Sequence, residues 1–122
     1  MKLFLLLGSV CGFLAVALGA FGAHGLEGKI SANALATWEK AVNYQMFHTM
    51  ALIATSLLVE KIQSASVVWA GWLFLIGIIV FSGSLYIYAT SGVKAFAMTT
   101  PFGGVAFLIG WILLGYAIIV WL

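Results

Sequence analysis

Apolar residues along this chain come in long uninterrupted blocks, not in the short alternations of a water-soluble fold. Three uncharged runs stand out, at residues 3–23, 67–89 and 102–122. At the α-helical rise the first is roughly 31 Å long, enough for a hydrocarbon core of ~30 Å. The segment after the first run is mixed. Residues 31–43 contain Asn33, Glu39, Lys40 and Asn43 and are too polar to cross a bilayer. Leu35, Trp38 and Val42 nevertheless recur near helical spacing, with Ser31 or Asn33 available as N-cap. This stretch is read as a helix lying at the membrane interface that runs into a shorter span at 44–59, closed by Glu60 and Lys61. The expected fold is an all-α membrane protein: a four-transmembrane-helix bundle with an interfacial helix between helices 1 and 2. Backbone polar groups in lipid must be bonded within a helix, which makes a bundle the economical solution. No linker or internal repeat divides the chain, so 1–122 is one membrane domain.

Composition agrees with this pattern. Of 122 residues 65% are hydrophobic and 7% charged. A small water-soluble globule has too little interior to hide that much apolar surface. The net charge of +2 comes from five lysines and no arginine, too weak a footprint for a nucleic-acid partner. Cys11 is single, so there is no disulfide framework and no CxxC motif. Lys2, the apolar run and Ala15-Val16-Ala17 have some character of a secretory signal, but the run is long and a retained first helix is expected. Four crossings would place both termini on one face with Lys2 and Lys61, opposite Lys29, Lys40 and Lys94. That count does not choose a side. Lys2 and the terminal amine beside the first helix favour cytoplasmic termini.

Within the first helix Gly8, Gly12, Ala15, Gly19 and Gly22 form one stripe of small residues at spacings of three and four. Lipid gives helices no hydrophobic drive to associate, and close backbone approach through such a groove is the usual substitute. Packing inside the chain is the expected role, with a seam between copies the alternative. Trp69, Trp72 and Trp121 on the terminal face and Trp38 on the other read as interfacial anchors. Trp111, mid-helix, reads as a packing residue.

Polar residues gather toward one face. His24 lies where the first helix leaves the membrane, and Tyr44, Gln45 and His48 lie where the second enters. Ser82, Ser84, Tyr86 and Tyr88, then Thr99, Thr100 and Pro101, return to that face. At 100° per residue Trp38, Ala41, Tyr44, Gln45, His48, Thr49 and Ser56 share one arc of roughly 140°, while Phe47, Met50, Ala54 and Leu58 fall outside it. The arc should point into the bundle.

Four blocks resemble a known family in order and spacing: Gly19-Ala20-Phe21-Gly22-Ala23-His24-Gly25-Leu26; Trp38 through His48, with its Tyr44-Gln45-Met46-Phe47-His48; Ser82-Gly83-Ser84-Leu85-Tyr86; and Thr100-Pro101-Phe102-Gly103-Gly104 with Gly110-Trp111. The chain resembles domain-of-unknown-function family 423, also called uncharacterised protein family 0382. These are small bacterial membrane proteins whose animal relatives include transmembrane protein 256. The resemblance covers nearly the whole chain. It implies a multi-pass protein of the cell membrane, the plasma membrane of a bacterium, and brings no activity with it.

The chemistry must therefore be weighed residue by residue. His24 and His48, even with Glu27 and Glu39, lack the spacing of a metal site, and a haem bridged between the two histidines is less plausible still. There is no GxSxG, no aspartate for a triad and no phosphate-binding glycine loop. The expectation is no enzyme, no metal and no cofactor. Ionisable and amide groups near membrane depth mark functional sites by default. A one-sided polar pocket lined by His24, Trp38, Tyr44, Gln45, His48, Ser84 and Tyr86 would bind or transport a lipid-like or small polar ligand. The competing reading is a structural or accessory subunit in which the same residues only fix helix register. Partners are then the lipid bilayer and either further copies of the chain or other membrane proteins. His24 and His48 are expected in one cluster, titrating as a coupled unit.

Overall fold

The computed structural model describes residues 2–122, and among these there is no strand. Four long helices run back and forth: α1 (Lys2–Leu26), α2 (Ala32–Val59), α3 (Ala65–Ser91) and α4 (Lys94–Trp121). α1, α3 and α4 are long and apolar enough to cross a membrane. α2 is richer in polar residues and packs against α1 on one side and α3 on the other, with Gln45, His48, Thr49, Thr55 and Ser56 buried and Asn33, Glu39, Lys40 and Asn43 exposed. α4 lies along α3.

Local chemistry sets the boundaries. The last turn of α1, Gly22–Leu26, widens to π geometry, and Gly28 then turns the chain at φ 81°, a left-handed conformation suited to glycine. Ser31 caps α2, its side chain accepting the Ala34 N–H at 3.1 Å. Ser64 does the same for α3 with the Ser66 N–H at 3.2 Å. Gly92, at φ 72°, ends α3 and donates its N–H to the Tyr88 carbonyl at 2.8 Å.

Three features differ from the sequence expectation. Residues 31–43 are not a separate interfacial helix, because α2 runs unbroken from Ala32 to Val59. Trp38 is the reason: only 5% exposed, it packs on α1 and donates its indole N–H to the Leu18 carbonyl at 2.8 Å. It is a core residue, not an anchor. Second, α4 begins at Lys94, well before Pro101, which sits inside the helix. Pro101 supplies no N–H to the preceding turn, and beside it the Thr99 and Thr100 hydroxyls donate to the Ala95 and Phe96 carbonyls at 2.8 and 3.1 Å. Third, α3 contains a π segment, Ile78–Ser82.

The stripe of small residues packs within the chain. A side chain at Gly8 would meet Ile53, at Gly12 Thr49, at Gly19 Val42 and at Gly22 Trp38, so steps up α1 match steps back along α2 to within one residue. Ala15 is buried on the same face. A second seam of the same kind joins α3 to α4, with phenylalanines and glycines interleaved. Phe74 fills the notch at Gly110, Phe107 the notch at Gly77, and the backbone of Phe81 lies directly against Gly103. Phe4 fills the notch at Gly71 and meets Trp72 edge-on, with ring centroids 5.1 Å apart, tying the start of α1 to α3. Both long seams rest on shape, the available drive for association in lipid.

Candidate functional site

The polar arc of α2 points inward as its periodicity requires: Trp38, Ala41, Gln45, His48, Thr49 and Ser56 are buried, while Phe47, Met50 and Ala54 are exposed. Tyr44 sits at the rim, 44% exposed. The buried groups tie the helices together through separate sets of hydrogen bonds. Tyr86 donates its hydroxyl to Gln45 Oε1 at 2.7 Å, and Gln45 Nε2 donates to the Cys11 carbonyl at 2.8 Å, linking α3, α2 and α1. One turn away, the Ser82 hydroxyl on the π segment donates to the Ala41 carbonyl at 2.7 Å. Ser84 and Thr100 share a hydrogen bond of 2.6 Å between α3 and α4.

His48 belongs to a different wall. Its Nδ1 lies 2.8 Å from the Tyr44 carbonyl, which can only accept, so the proton is on Nδ1. Nε2 is then free to accept, and it takes the Trp111 indole N–H at 3.1 Å. The imidazole stacks on Phe107 with centroids 3.5 Å apart and planes within 9°. Both ring nitrogens are engaged and the neutral tautomer is fixed, which leaves no lone pair for a metal.

Beside this wall is a groove of about 710 Å³ between α2 and α4, floored by Phe81 of α3. α2 contributes Asn43, Tyr44, Phe47 and His48; α4 contributes Pro101, Gly104, Val105, Phe107, Leu108 and Trp111. Its walls are aromatic pairs: Tyr44 stacks on Phe81 at 4.5 Å, and Trp111 tilts against Phe74 at 4.9 Å and Phe47 at 5.6 Å. The groove exists because α4 is held to α3 at Gly103 and α2 to α3 at Ser82, while Gly104 puts no side chain into the space between. His48 and Trp111, the deepest lining residue on each helix, close its lower end. From Pro101 to Trp111 it extends roughly 15 Å along α4. Its volume is in the range typical of ligand sites, ~300–1,000 Å³.

The seven residues singled out from sequence therefore divide. Tyr44 and His48 line the groove; Trp38, Gln45, Ser84 and Tyr86 make the internal hydrogen bonds; His24 is exposed on the π turn of α1. His24 and His48 are not one cluster. Since Gly12 packs on Thr49 and Gly22 on Trp38, His48 lies roughly 16 Å further down the bundle than His24, facing α4 and not α1. The expectation failed because α2 enters the bundle at Ala32, not near Tyr44, which puts Gln45 and His48 at mid-length. Sequence reading missed Phe47, Phe81, Gly104, Phe107 and Leu108. The signal was present on α4, where Pro101, Gly104, Leu108 and Trp111 recur at three and four residues along one face.

Comparison with known proteins fits this architecture. A UPF0382 membrane protein of Staphylococcus haemolyticus is 49% identical over 114 residues, covering 93% of each chain. One from Staphylococcus aureus is 53% identical over the same length and coverage. The UPF0382 membrane protein YwdK of Bacillus subtilis is 46% identical over 123 residues, the whole of both chains. No solved structure matches. Residues 18–104 match the family described as a protein of unknown function, DUF423. That match takes in the end of α1 with Gly19 and Gly22, all of α2 and α3, and the upper part of the groove, and with the relatives it places this chain in the DUF423 family of UPF0382 membrane proteins.

Proposed function

We propose that the protein is a non-catalytic lipid-binding module of the bacterial plasma membrane, holding one apolar chain of an amphiphile in the α2–α4 groove. The observation that carries this reading is the groove itself, an open aromatic channel of about 710 Å³ left between α2 and α4, which each pack on α3. A small polar solute fits less well, because Gln45, Tyr86, Trp38 and Ser82 already satisfy one another or backbone carbonyls. Four crossings belong to this proposal: α2 and α4 are each 28 residues, and α2 packs along α1 from Gly22 to Gly8. Single cysteines at Lys29, Lys61 and Lys94 in a Cys11→Ala background test the topology. An impermeant thiol reagent should reach Lys61 from the side opposite the other two.

Gly104→Phe tests the groove. A side chain there meets nothing nearer than the Phe81 ring at 3.9 Å, so a phenyl group can enter the space without displacing backbone. Native mass spectrometry of protein released from lipid nanodiscs should show retained lipid on the wild type. The variant should lose it at unchanged melting temperature. Equal retention by both would remove the groove from the account. A stable dimer carrying no lipid would favour an accessory role in which a neighbouring helix fills the space.

A further inference from the structure

The groove has a direction and a charged mouth. On α2 its lining residues centre on the face between Tyr44 and Phe47, and at 100° per residue Lys40 falls in the middle of that arc, one turn above Tyr44. Glu39 falls roughly 110° away from the same centre. On α4 the lining face runs through Pro101, Gly104 and Leu108, and Lys94 lies within roughly 60° of its centre, two turns above Pro101. Both lysines are exposed, and neither makes an ion pair among the described residues. The depth agrees as well. The groove's length of roughly 15 Å is half of a ~30 Å hydrocarbon core, the thickness of one leaflet. Ser82 meets Ala41 and Phe81 meets Gly103, so Lys40 lies level with Pro101 at the top of the groove, and Lys94 lies roughly 10 Å above it; long cationic side chains at such a rim extend toward water.

We infer that the groove selects an anionic phospholipid from the leaflet at the Gly28 and Gly92 turns, with one acyl chain against Tyr44, Phe81 and Leu108 and the phosphate held between Lys40 and Lys94. This rests on the lipid-binding reading and adds the headgroup class. The apolar floor supplies grip without discrimination, since all acyl chains are alike to it. Discrimination comes from two unpaired cations, each worth about 1 kcal/mol near an anionic surface. That is roughly fivefold per lysine, less in high salt.

The experiment uses nanodiscs of equal phosphatidylglycerol and phosphatidylcholine and reads the ratio of the two lipids retained in native mass spectra. Wild type should be enriched in phosphatidylglycerol by about five- to twentyfold. Lys40→Gln with Lys94→Gln should bring the ratio to that of the bilayer while total retained lipid persists. Lys2→Gln with Lys61→Gln, on the other face, should leave the enrichment intact. Soluble glycerol phosphate should fail to displace the lipid; displacement would mean an ion site, not a lipid site. A wild-type ratio equal to the bilayer's, or enrichment surviving in the Lys40/Lys94 double variant, would overturn the headgroup assignment and leave the groove reading standing. Absence of retained lipid on the wild type would overturn both.

Discussion

Replacing Gly103 with alanine probes the α3–α4 seam at the place where nothing can yield. A methyl group there would fall against the backbone nitrogen of Phe81 and within 2.7 Å of its Cα and Cβ. Ordinary carbon contacts lie near 3.5–4.0 Å, so the two helices must part by about 1 Å locally. Contacts at the neighbouring steps, Phe107 in the Gly77 notch and Phe74 in the Gly110 notch, then open together. A gap of 0.5–1 Å forfeits roughly a quarter to a half of each contact's attraction, and overpacking of this kind costs about 1–3 kcal/mol. Gly110→Ala should cost less, because the ring atoms of Phe74 that it meets, at 2.9 and 3.0 Å, belong to a side chain that can shift. Gly115→Ala meets nothing within 4 Å and should be neutral or slightly stabilising, as alanine is the better helix former. The assay is thermal unfolding in one detergent, with all three variants measured side by side. The expected order of stability is Gly115→Ala, then Gly110→Ala, then Gly103→Ala. A Gly103→Ala protein as stable as Gly115→Ala would refute the seam as described.

Two further substitutions test the buried polar groups. Trp111→Phe removes the donor to His48 Nε2 but keeps an aromatic ring, so a double-mutant cycle with His48→Phe should return a coupling of about 0.6–1.7 kcal/mol, the range of hydrogen bonds between membrane helices. Strict additivity would mean that the two side chains act independently. Thr49→Val keeps the shape of a side chain only 3% exposed and deletes a hydroxyl that has no partner among the described residues. It should stabilise the protein by up to about 1 kcal/mol, and a marked loss of melting temperature would reveal a partner for that hydroxyl.

Sequence carried the helical class, the apolar runs and the inward face of α2 because these depend on period and hydropathy, which are local. The glycine stripe of α1 was legible for the same reason: five small residues at three- and four-residue spacing admit few other uses. The α3–α4 seam was not, since Phe74, Phe81 and Phe107 become meaningful only opposite Gly110, Gly103 and Gly77, on another helix. The start of α2 was legible in its Ser31 cap, but Glu39 and Lys40 suggested a division near Tyr44 that the continuous helix does not have. Both are exposed on a continuous helix whose opposite face, at Trp38, Ala41 and Val42, is buried. The groove was hidden for a third reason. It is made by what Gly104 lacks and by aromatic residues that in a membrane sequence resemble ordinary packing.

The central claim is that lipid lies in the α2–α4 groove, and site-resolved photolabelling tests it most directly. The protein is reconstituted with a phospholipid bearing a diazirine midway along one acyl chain, irradiated after extensive detergent washing, and mapped by peptide mass spectrometry. The account predicts adducts on Tyr44, Phe47, Leu108 and Trp111, with little on Phe13 and Ile119, which are more exposed at 73% and 83% but lie outside the groove. Labelling of Phe13 and Ile119 equal to or above that of Tyr44 and Leu108 would contradict it.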